Sequence, residues 1–331
     1  MIEINRSDIL RYLDALVKVA PKDSPICLFD KKYIYGRSRS GSIYIRTINP
    51  TPLIGGVDVV RLKGIIGTLG GSMITIGENG TIISGKHKSK LSIISNFELP
   101  GVGFLDKFTP KYKVNESMLR KAELFASSQT SDGPYTSVHI VKGKIYSTDR
   151  YKIFIGTDKN YSEIDKVNIP AETLNASIPV LTYLDVLEKS VAFLSESSDI
   201  IIASPTIEGQ YMDMISLYKK YVPDESKLKF VKFVSDCTGV CNRAEYFNSE
   251  VVKVDKGNLV ASGVHGSFEE KFIELYDHNS CYSRVSQLKL AISCTDKVCI
   301  LDNGTMIFGA PSIRVIISPI SPEAVENKNN A

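Results

Sequence analysis

Met73-Ile-Thr-Ile-Gly-Glu-Asn-Gly-Thr-Ile-Ile-Ser-Gly85 sets two β-rich runs around Asn79-Gly80. Lys297-Val-Cys-Ile-Leu-Asp-Asn-Gly-Thr-Met-Ile-Phe-Gly309 repeats the runs, the Asn-Gly-Thr turn and the closing glycine 224 positions later (297 minus 73). Asn-Gly between such runs is the strongest short-range hairpin signal, because a tight two-residue turn needs positive φ at its centre. Recurrence of the whole pattern decides the architecture: one structural unit is written more than once along the chain.

Working outward from the first copy, Ile4 to Ala20 carries apolar residues at Ile9, Leu10, Leu13, Leu16, Val17 and Ala20. That is the rhythm of an amphipathic helix, with Ser7 as its expected cap and Pro21 beyond its end. Strands are expected at Ile26–Phe29, Tyr33–Tyr35 and Ser42–Ile48, then a helix from Val57 to Leu69 stopped by Gly70-Gly71. The middle copy is predicted as a helix at Ser117–Phe125, strands from Tyr135 to Ile155, a helix at Leu181–Val191, and a hairpin of Ile200–Ala203 with Gln210–Ile215. The third has a helix at Leu228–Val234, strands at Glu250–Val254, Leu259–Gly263 and Phe268–Tyr276, and a helix at Tyr282–Ile292 ahead of the second Asn-Gly hairpin. First helices recur at a spacing of about 110 residues, a common domain size. The expectation is therefore an α+β chain of three tandem domains, each with two helices packed on antiparallel sheets. Their bounds are 1–108, 109–222 and 223–320, followed by a flexible tail at 321–331.

A chain of 331 residues, 43% hydrophobic, is long enough for several cores, and its net charge of +3 makes no overall field that argues nucleic-acid binding. The charged start Met1-Ile-Glu-Ile-Asn-Arg6 is unlike a secretory segment, so a cytoplasmic protein is expected. Cysteines 27, 237, 241, 281, 294 and 299 lack the two-residue spacing of a zinc knuckle and read as free buried thiols. No metal or cofactor is expected. The four histidines, His87, His139, His265 and His278, have no nucleophile elbow nearby, and Gly64 to Gly71 lacks the Lys-Ser/Thr of a phosphate loop. Asp199, Glu208 and Asp213 are too scattered for a two-metal site, so the chain does not read as an enzyme.

Lys142-Gly-Lys-Ile-Tyr-Ser-Thr-Asp-Arg-Tyr-Lys-Ile-Phe-Ile-Gly156 reads as two strand runs hinged at Thr148-Asp149-Arg150, where Thr148 and Asp149 can each cap local N–H groups in a tight turn. The segment Tyr135 to Ile155 also resembles the middle-domain signature of the bacterial-type DNA polymerase III beta sliding clamps, with Arg150 and Tyr151 where that family usually has Gly and His. His87-Lys-Ser-Lys-Leu-Ser-Ile93, Gly209-Gln-Tyr-Met-Asp-Met214 and Arg314-Val-Ile-Ile-Ser-Pro-Ile320 are similar to further clamp motifs in the same order. Short first-domain strands and the diverged signature lean towards a phage version, acting in a bacterial or infected-host cytoplasm.

The resemblance implies a half-ring that closes head to tail with a second copy around duplex DNA. Such a homodimer is loaded by a clamp loader ATPase and tethers the replicative DNA polymerase as a processivity factor. Enclosure suits the near-neutral composition, since phosphate contacts tight enough to hold also impede sliding. Helix cations that either line the opening or simply face solvent are Arg6, Arg11, Lys18, Lys22, Arg120, Lys121, Lys227, Lys229, Lys232 and Arg284. Leu91 and Ile93 on an expected edge strand belong either to the dimer interface or to the first-domain core. The partner-peptide pocket implied by the resemblance comprises Tyr135, Thr148, Tyr151, Lys152, Ile153, Met212, Ser216, Leu217, Ile316, Ile317, Ser318, Pro319 and Ile320. Met212 and Ser216 replace the family's Pro and Arg, which alters partner specificity, and the tail beyond Ile320 is placed to cover the groove. Two alternatives remain: a scaffold of the same fold that gathers proteins without enclosing DNA, and a metal-dependent nucleic-acid enzyme.

Overall fold

Both Asn-Gly hairpins form, and they form with the same bonds. Between strands Met73–Ile76 and Thr81–Ser84, Gly80 N–H donates to Gly77 O (3.0 Å), Gly77 N–H to Thr81 O (2.8 Å), and the Asn79 side chain accepts the Thr81 N–H (3.1 Å). Between Lys297–Ile300 and Met306–Ala310, Gly304 N–H donates to Leu301 O (2.8 Å), Leu301 N–H to Thr305 O (2.9 Å), and Asn303 accepts the Thr305 N–H (3.0 Å). Gly80 and Gly304 each sit at φ +79°, a left-handed geometry that costs glycine nothing.

The computed structural model describes residues 1–177, 182–247, 250–263, 265–274 and 280–321. Its helices are α1 (Arg6–Val19), α2 (Val59–Thr68), α3 (Glu116–Glu123), α4 (Ala171–Ser177), α5 (Met214–Tyr221), α6 (Cys237–Glu245) and α7 (Val285–Cys294). The chain divides into two compact units, residues 1–120 with 169–207, and residues 121–168 with 208–331, the divisions falling inside α3, inside the strand Val167–Pro170 and after Ile207.

In the first unit a four-stranded sheet has the order Ile2–Asn5, Met73–Ile76, Thr81–Ser84, His87–Lys90. An eight-stranded sheet runs Gly55–Asp58, Ile26–Phe29, Tyr33–Arg37, Tyr44–Ile48, Ile200–Pro205, Ser190–Leu194, Tyr183–Leu187, Tyr112–Lys113. α1 packs along α2 and buries Ile9, Leu13 and Leu16 completely, each worth about 1.5–3 kcal/mol. Asn5, not the expected Ser7, caps α1: its side chain accepts the Ser7 N–H at 3.0 Å, so the helix begins at Arg6, two residues before a Ser7 cap would start it.

The second unit repeats the pair of sheets. Its eight-stranded sheet has the order Val167–Pro170, Ser137–Val141, Lys144–Thr148, Lys152–Thr157, Ile313–Ile317, Met306–Ala310, Lys297–Ile300, Val231–Lys232. Its four-stranded sheet runs Gly266–Lys271, Asn258–Gly263, Val251–Asp255, Cys281–Arg284, and α6 packs on α7. Mixed helices and antiparallel strands match the expected α+β class.

Three expected elements are replaced. Leu181–Val191, predicted as a helix, lies outside the described residues at 181 and from Tyr183 is a hairpin, with Leu184 opposite Phe193 and Val186 opposite Val191. Gln210–Ile215, predicted as a strand, gives way to α5, because the Asp213 carboxylate accepts the N–H groups of Ile215 (3.1 Å) and Ser216 (3.0 Å). Leu228–Val234, predicted as a helix, contains the short strand Val231–Lys232 paired with Lys297 and Val298, and the helix follows at Cys237–Glu245. The strand expected over Phe268–Tyr276 is found at Gly266–Lys271; its last two residues, His278 and the tail beyond Ser321 lie outside the described residues.

All six cysteines are buried free thiols, and burial pushes Cys27, Cys241 and Cys281 up to about 12, which keeps them protonated. Among the described residues no three His, Cys, Asp or Glu side chains gather as a metal site, and no helix is long and apolar enough to cross a membrane.

Candidate partner-peptide groove and charged faces

The turn between strands Lys144–Thr148 and Lys152–Thr157 is built by its own side chains. Thr148 Oγ1 accepts the Arg150 N–H (2.9 Å) and donates to Lys152 O (2.8 Å), while Asp149 Oδ1 accepts the N–H groups of Tyr151 (3.0 Å) and Lys152 (2.9 Å). These are the caps expected of Thr148 and Asp149. Arg150, between them, has φ +79°.

From this turn Lys152–Thr157 runs antiparallel to Ile313–Ile317, with Ile153 opposite Ile316 and Lys152 opposite Ile317. On one face of these strands Tyr146, Ile153, Tyr211, Met214 and Ile316 form a buried cluster, with Tyr135, Leu217 and Tyr218 packed against it. α5 presents Met214, Leu217, Tyr218 and Tyr221 to that cluster, the i, i+3, i+4, i+7 positions of one helical face. Tyr135 meets Tyr211 edge-on at 5.4 Å between ring centroids, and His139 stacks on Tyr211 at 4.8 Å. Burial holds the His139 imidazole below its usual range, although its Nδ1 lies 2.6 Å from Asn168 Oδ1.

Of the pocket residues named from sequence, Tyr135, Ile153, Leu217 and Ile316 come together in this cluster. Tyr151 and Met212 are 63% and 43% exposed, available to a partner. Lys152 Nζ donates to Leu124 O (2.6 Å), lies 3.8 Å from Asp149 and sits over the Phe125 ring; burial lowers its pKa, with Asp149 opposing the shift. Ser216 Oγ donates to Asp213 (2.7 Å) as part of the α5 cap. Ser318, Pro319 and Ile320 are half-buried, with Ser318 N–H donating to Tyr151 O (3.1 Å) and Ile320 N–H to Tyr282 O (3.0 Å). Thr148 and Ile317 are 1% and 0% exposed. Strand pleat turns Ile317 to the sheet's other face from Ile316, so Ile317 is a core residue and Thr148 a turn residue, and neither lines a surface.

Sequence reasoning missed Tyr146, Tyr211 and Met214. The available signal was Asp213 followed by apolar residues at helical spacing, which reads as a capped helix start. Two clefts open beside this cluster. One, of about 280 Å³, lies between Tyr146, Ile155, Ile313 and Arg314 on the strands and Ile215 and Tyr218 on α5. The other, of about 570 Å³, is bordered by Leu124, Asp132, Arg150, Tyr151, Lys152 and Arg284.

The cations named from sequence divide by what they touch. Arg6 donates to the last carbonyls of α2, at Ile66 (2.9 Å) and Gly67 (2.7 Å). Arg11 pairs with Asp199 and donates to Tyr12 OH (3.1 Å), which donates on to Asp199 (3.1 Å). Burial acts to raise the Asp199 carboxyl, but bonds from Ser195, Ser197 and Tyr12 and the Arg11 charge outweigh it, and Asp199 lies below the usual carboxylate range. Arg120 pairs with Glu116 one turn back (2.9 Å). Lys18, Lys22, Lys229 and Arg284 are exposed and Lys121 is half-buried. Lys227 closes a short 3₁₀ turn beside Asp224 (3.7 Å), and Lys232 is on an edge strand. Neither belongs to the helix assigned to it, and the helix that is present, α6, carries Arg243, bound to Asp236 (3.0 Å) and Glu270 (2.5 Å).

His87–Lys90 is the edge of its four-stranded sheet, with His87, Lys88 and Lys90 exposed. Leu91, just past it, is 2% exposed because its N–H returns to Gly80 O (2.9 Å); it is a core residue and not an exposed interface knob, while Ile93 is half-buried. The edge strand Gly266–Lys271 of the other unit carries Glu269 and Glu270.

No family model matches the sequence, and no curated protein does. Solved structures share the fold. The beta subunit of DNA polymerase from Streptococcus pyogenes is 17% identical, with 96% of this chain and 99% of that one covered at a TM-score of 0.73. The sliding clamp of Bartonella birtlesii bound to griselimycin is 14% identical (97% and 99% covered, TM-score 0.75). The Helicobacter pylori beta clamp bound to a DNA ligase peptide is 13% identical (97% and 99%, TM-score 0.71). The chain thus has the fold of the bacterial DNA polymerase III beta sliding clamps along nearly its whole length.

Proposed function

We propose that this protein is a DNA sliding clamp, a homodimeric ring that encircles duplex DNA and tethers a replicative polymerase and other partners. The observation that carries the reading is the extent of the shared fold: 96–97% of this chain matches 99% of the clamp chains. On this reading the chain acts as three modules, 1–108, 109–222 and 223–320, and two copies close head to tail. Support for closure comes from two sheet edges of opposite charge, the basic His87–Lys90 and the acidic Gly266–Lys271. An unpaired edge invites another strand, and opposite charge favours this pairing over self-pairing of either edge. The clefts that open beside the buried cluster of Tyr135, Ile153, Leu217 and Ile316 form the groove that takes an extended partner peptide on apolar anchors, as short peptides gain affinity in preformed clefts. The ring is opened onto DNA by a clamp loader ATPase, works in the cytoplasm, and tethers without catalysing.

Solution mass and DNA retention test this. A mass twice that of the 36.6 kDa chain is expected, with salt-resistant retention on circular DNA and release when the circle is cut. One observation favours a non-encircling scaffold instead: the guanidinium groups of Arg6, Arg11, Arg120 and Arg243 are committed to local partners. A monomer that binds partner peptides but is shed equally from circular and linear DNA establishes the scaffold.

A further inference from the structure

We propose that Arg150 makes the groove selective for partner segments that carry a carboxylate beside their apolar anchors; the inference rests on reading the groove as a peptide site. Arg150 is not glycine, yet it holds φ +79°, a region that crowds Cβ against the backbone and that side chains other than Gly, Asn and Asp seldom occupy. The hydrogen bonds that build the turn use the Arg150 backbone and not its side chain. What the side chain touches is the rim of the groove: its guanidinium lies 5.3 Å from the centre of the Tyr135 ring and 3.2 Å from Asp132 Oδ1.

The pair is unevenly exposed, 56% for the Arg150 side chain and 15% for Asp132. The other oxygen of Asp132 accepts the Ser127 hydroxyl, which fixes the carboxylate against its own loop. One carboxylate oxygen occupies one edge of the guanidinium, and the planar fork retains outward N–H donors for a second, bidentate acceptor. The other charges of the cleft are engaged elsewhere or add to its positive side. Asp149 is turned onto the N–H groups of Tyr151 and Lys152, Lys152 Nζ points to Leu124 O with the Glu123 carboxylate acting on its charge, and Arg284 adds a second exposed cation. An extended peptide laid on Tyr135 therefore passes a half-exposed guanidinium over an aromatic face, where an acidic side chain is favoured and a basic one repelled.

Fluorescence anisotropy with the full chain and two labelled tetrapeptide amides, acetyl-Leu-Glu-Leu-Phe and acetyl-Leu-Gln-Leu-Phe, tests this. The Glu probe should bind about fivefold tighter than the Gln probe at low salt, the ratio falling towards one at about 0.5 M salt. Arg150→Gly suits the left-handed turn, so its melting temperature should hold or rise while the two probes become equivalent. Arg150→Lys should restore part of the preference, and Asp132→Asn, which removes the internal competitor, should widen it. Equal binding of the probes to the unmodified chain, or a preference that survives Arg150→Gly, overturns the proposal and leaves the groove standing. A preference lost in Arg284→Ala but kept in Arg150→Gly also overturns it. Failure of both probes to bind removes the groove reading itself, and the selectivity with it.

Discussion

Arg6 is tied to Ile66: its Nε–H donates to the Ile66 carbonyl at 2.9 Å, next to a second bond from Nη2 to Gly67, and so satisfies the open end of α2 from the start of α1. A residue that reads from sequence as a DNA-facing cation is thereby a clasp between two helices. Arg6→Ala should cost about 1–2 kcal/mol in urea unfolding, whereas Lys18→Ala, at an exposed position, should stay within about 0.5 kcal/mol. On the proposed clamp reading the same variants separate two roles: Lys18→Ala should change the salt sensitivity of retention on circular DNA and Arg6→Ala should not.

The turn that shapes the groove depends on one hydroxyl. Thr148 Oγ1 both accepts from Arg150 and donates to Lys152 at a position that is 1% exposed. Thr148→Val keeps the volume but strands the Arg150 N–H and the Lys152 carbonyl, at a cost of about 1–3 kcal/mol. Peptide binding should weaken along with the unfolding midpoint, and a variant that keeps full stability would show the turn to be held by Asp149 alone.

The two Asn-Gly turns are alike inside and differ outside. A Cβ on Gly304 would meet Cys281 Cβ and Pro319 Cβ at 3.2 Å, whereas one on Gly80 would lie 2.2 Å from the Leu91 carbonyl oxygen. Gly304→Ala should therefore cost about 1–2 kcal/mol for its positive φ. Gly80→Ala should cost more than about 3 kcal/mol, since backbone cannot step aside as a side chain can. Paired thermal melts decide the order.

His139 is held neutral by burial, so its folded pKa lies below the unfolded value of about 6.5. Below that value the unfolded chain takes up a proton that the folded chain refuses. Stability should be level above pH 7.5 or so, decline as pH falls through about 6.5, and level off only below the folded pKa. His139→Gln should remove most of that slope, measured by urea midpoints between about pH 5 and 8.

What the sequence disclosed was geometry that local chemistry dictates. Asn79-Gly80 and Asn303-Gly304 require one turn type, and Thr148 and Asp149 cap the backbone they sit on, so both were legible. The misread segments obey tertiary context instead. Tyr183 to Leu194 carries Leu184, Leu187, Glu188, Lys189 and Leu194, good helix formers, but pairs as a hairpin because Leu184 and the whole run Val191 to Leu194 are buried in a sheet. Lys227-Leu-Lys-Phe-Val-Lys alternates like a strand and ends in one. α6 was hidden because Thr238, Gly239 and Asn242 are poor helix formers; Cys237, Val240, Cys241 and Ala244 hold it by burial. Among the residues that the clamp-like motifs named, which face of the sheet each neighbour takes, Ile316 towards the α5 cluster or Ile317 away from it, is set by sheet pleat and register.

Each large sheet is completed late. Tyr44–Ile48 pairs with Ile200–Ala203, and Lys152–Thr157 waits 156 residues (313 minus 157) for Ile313–Ile317. A nascent chain leaving the ribosome therefore carries an open, apolar strand flank for most of its synthesis, a stretch in which trigger-type chaperones or premature pairing between neighbouring polysomal chains compete with the proper mate.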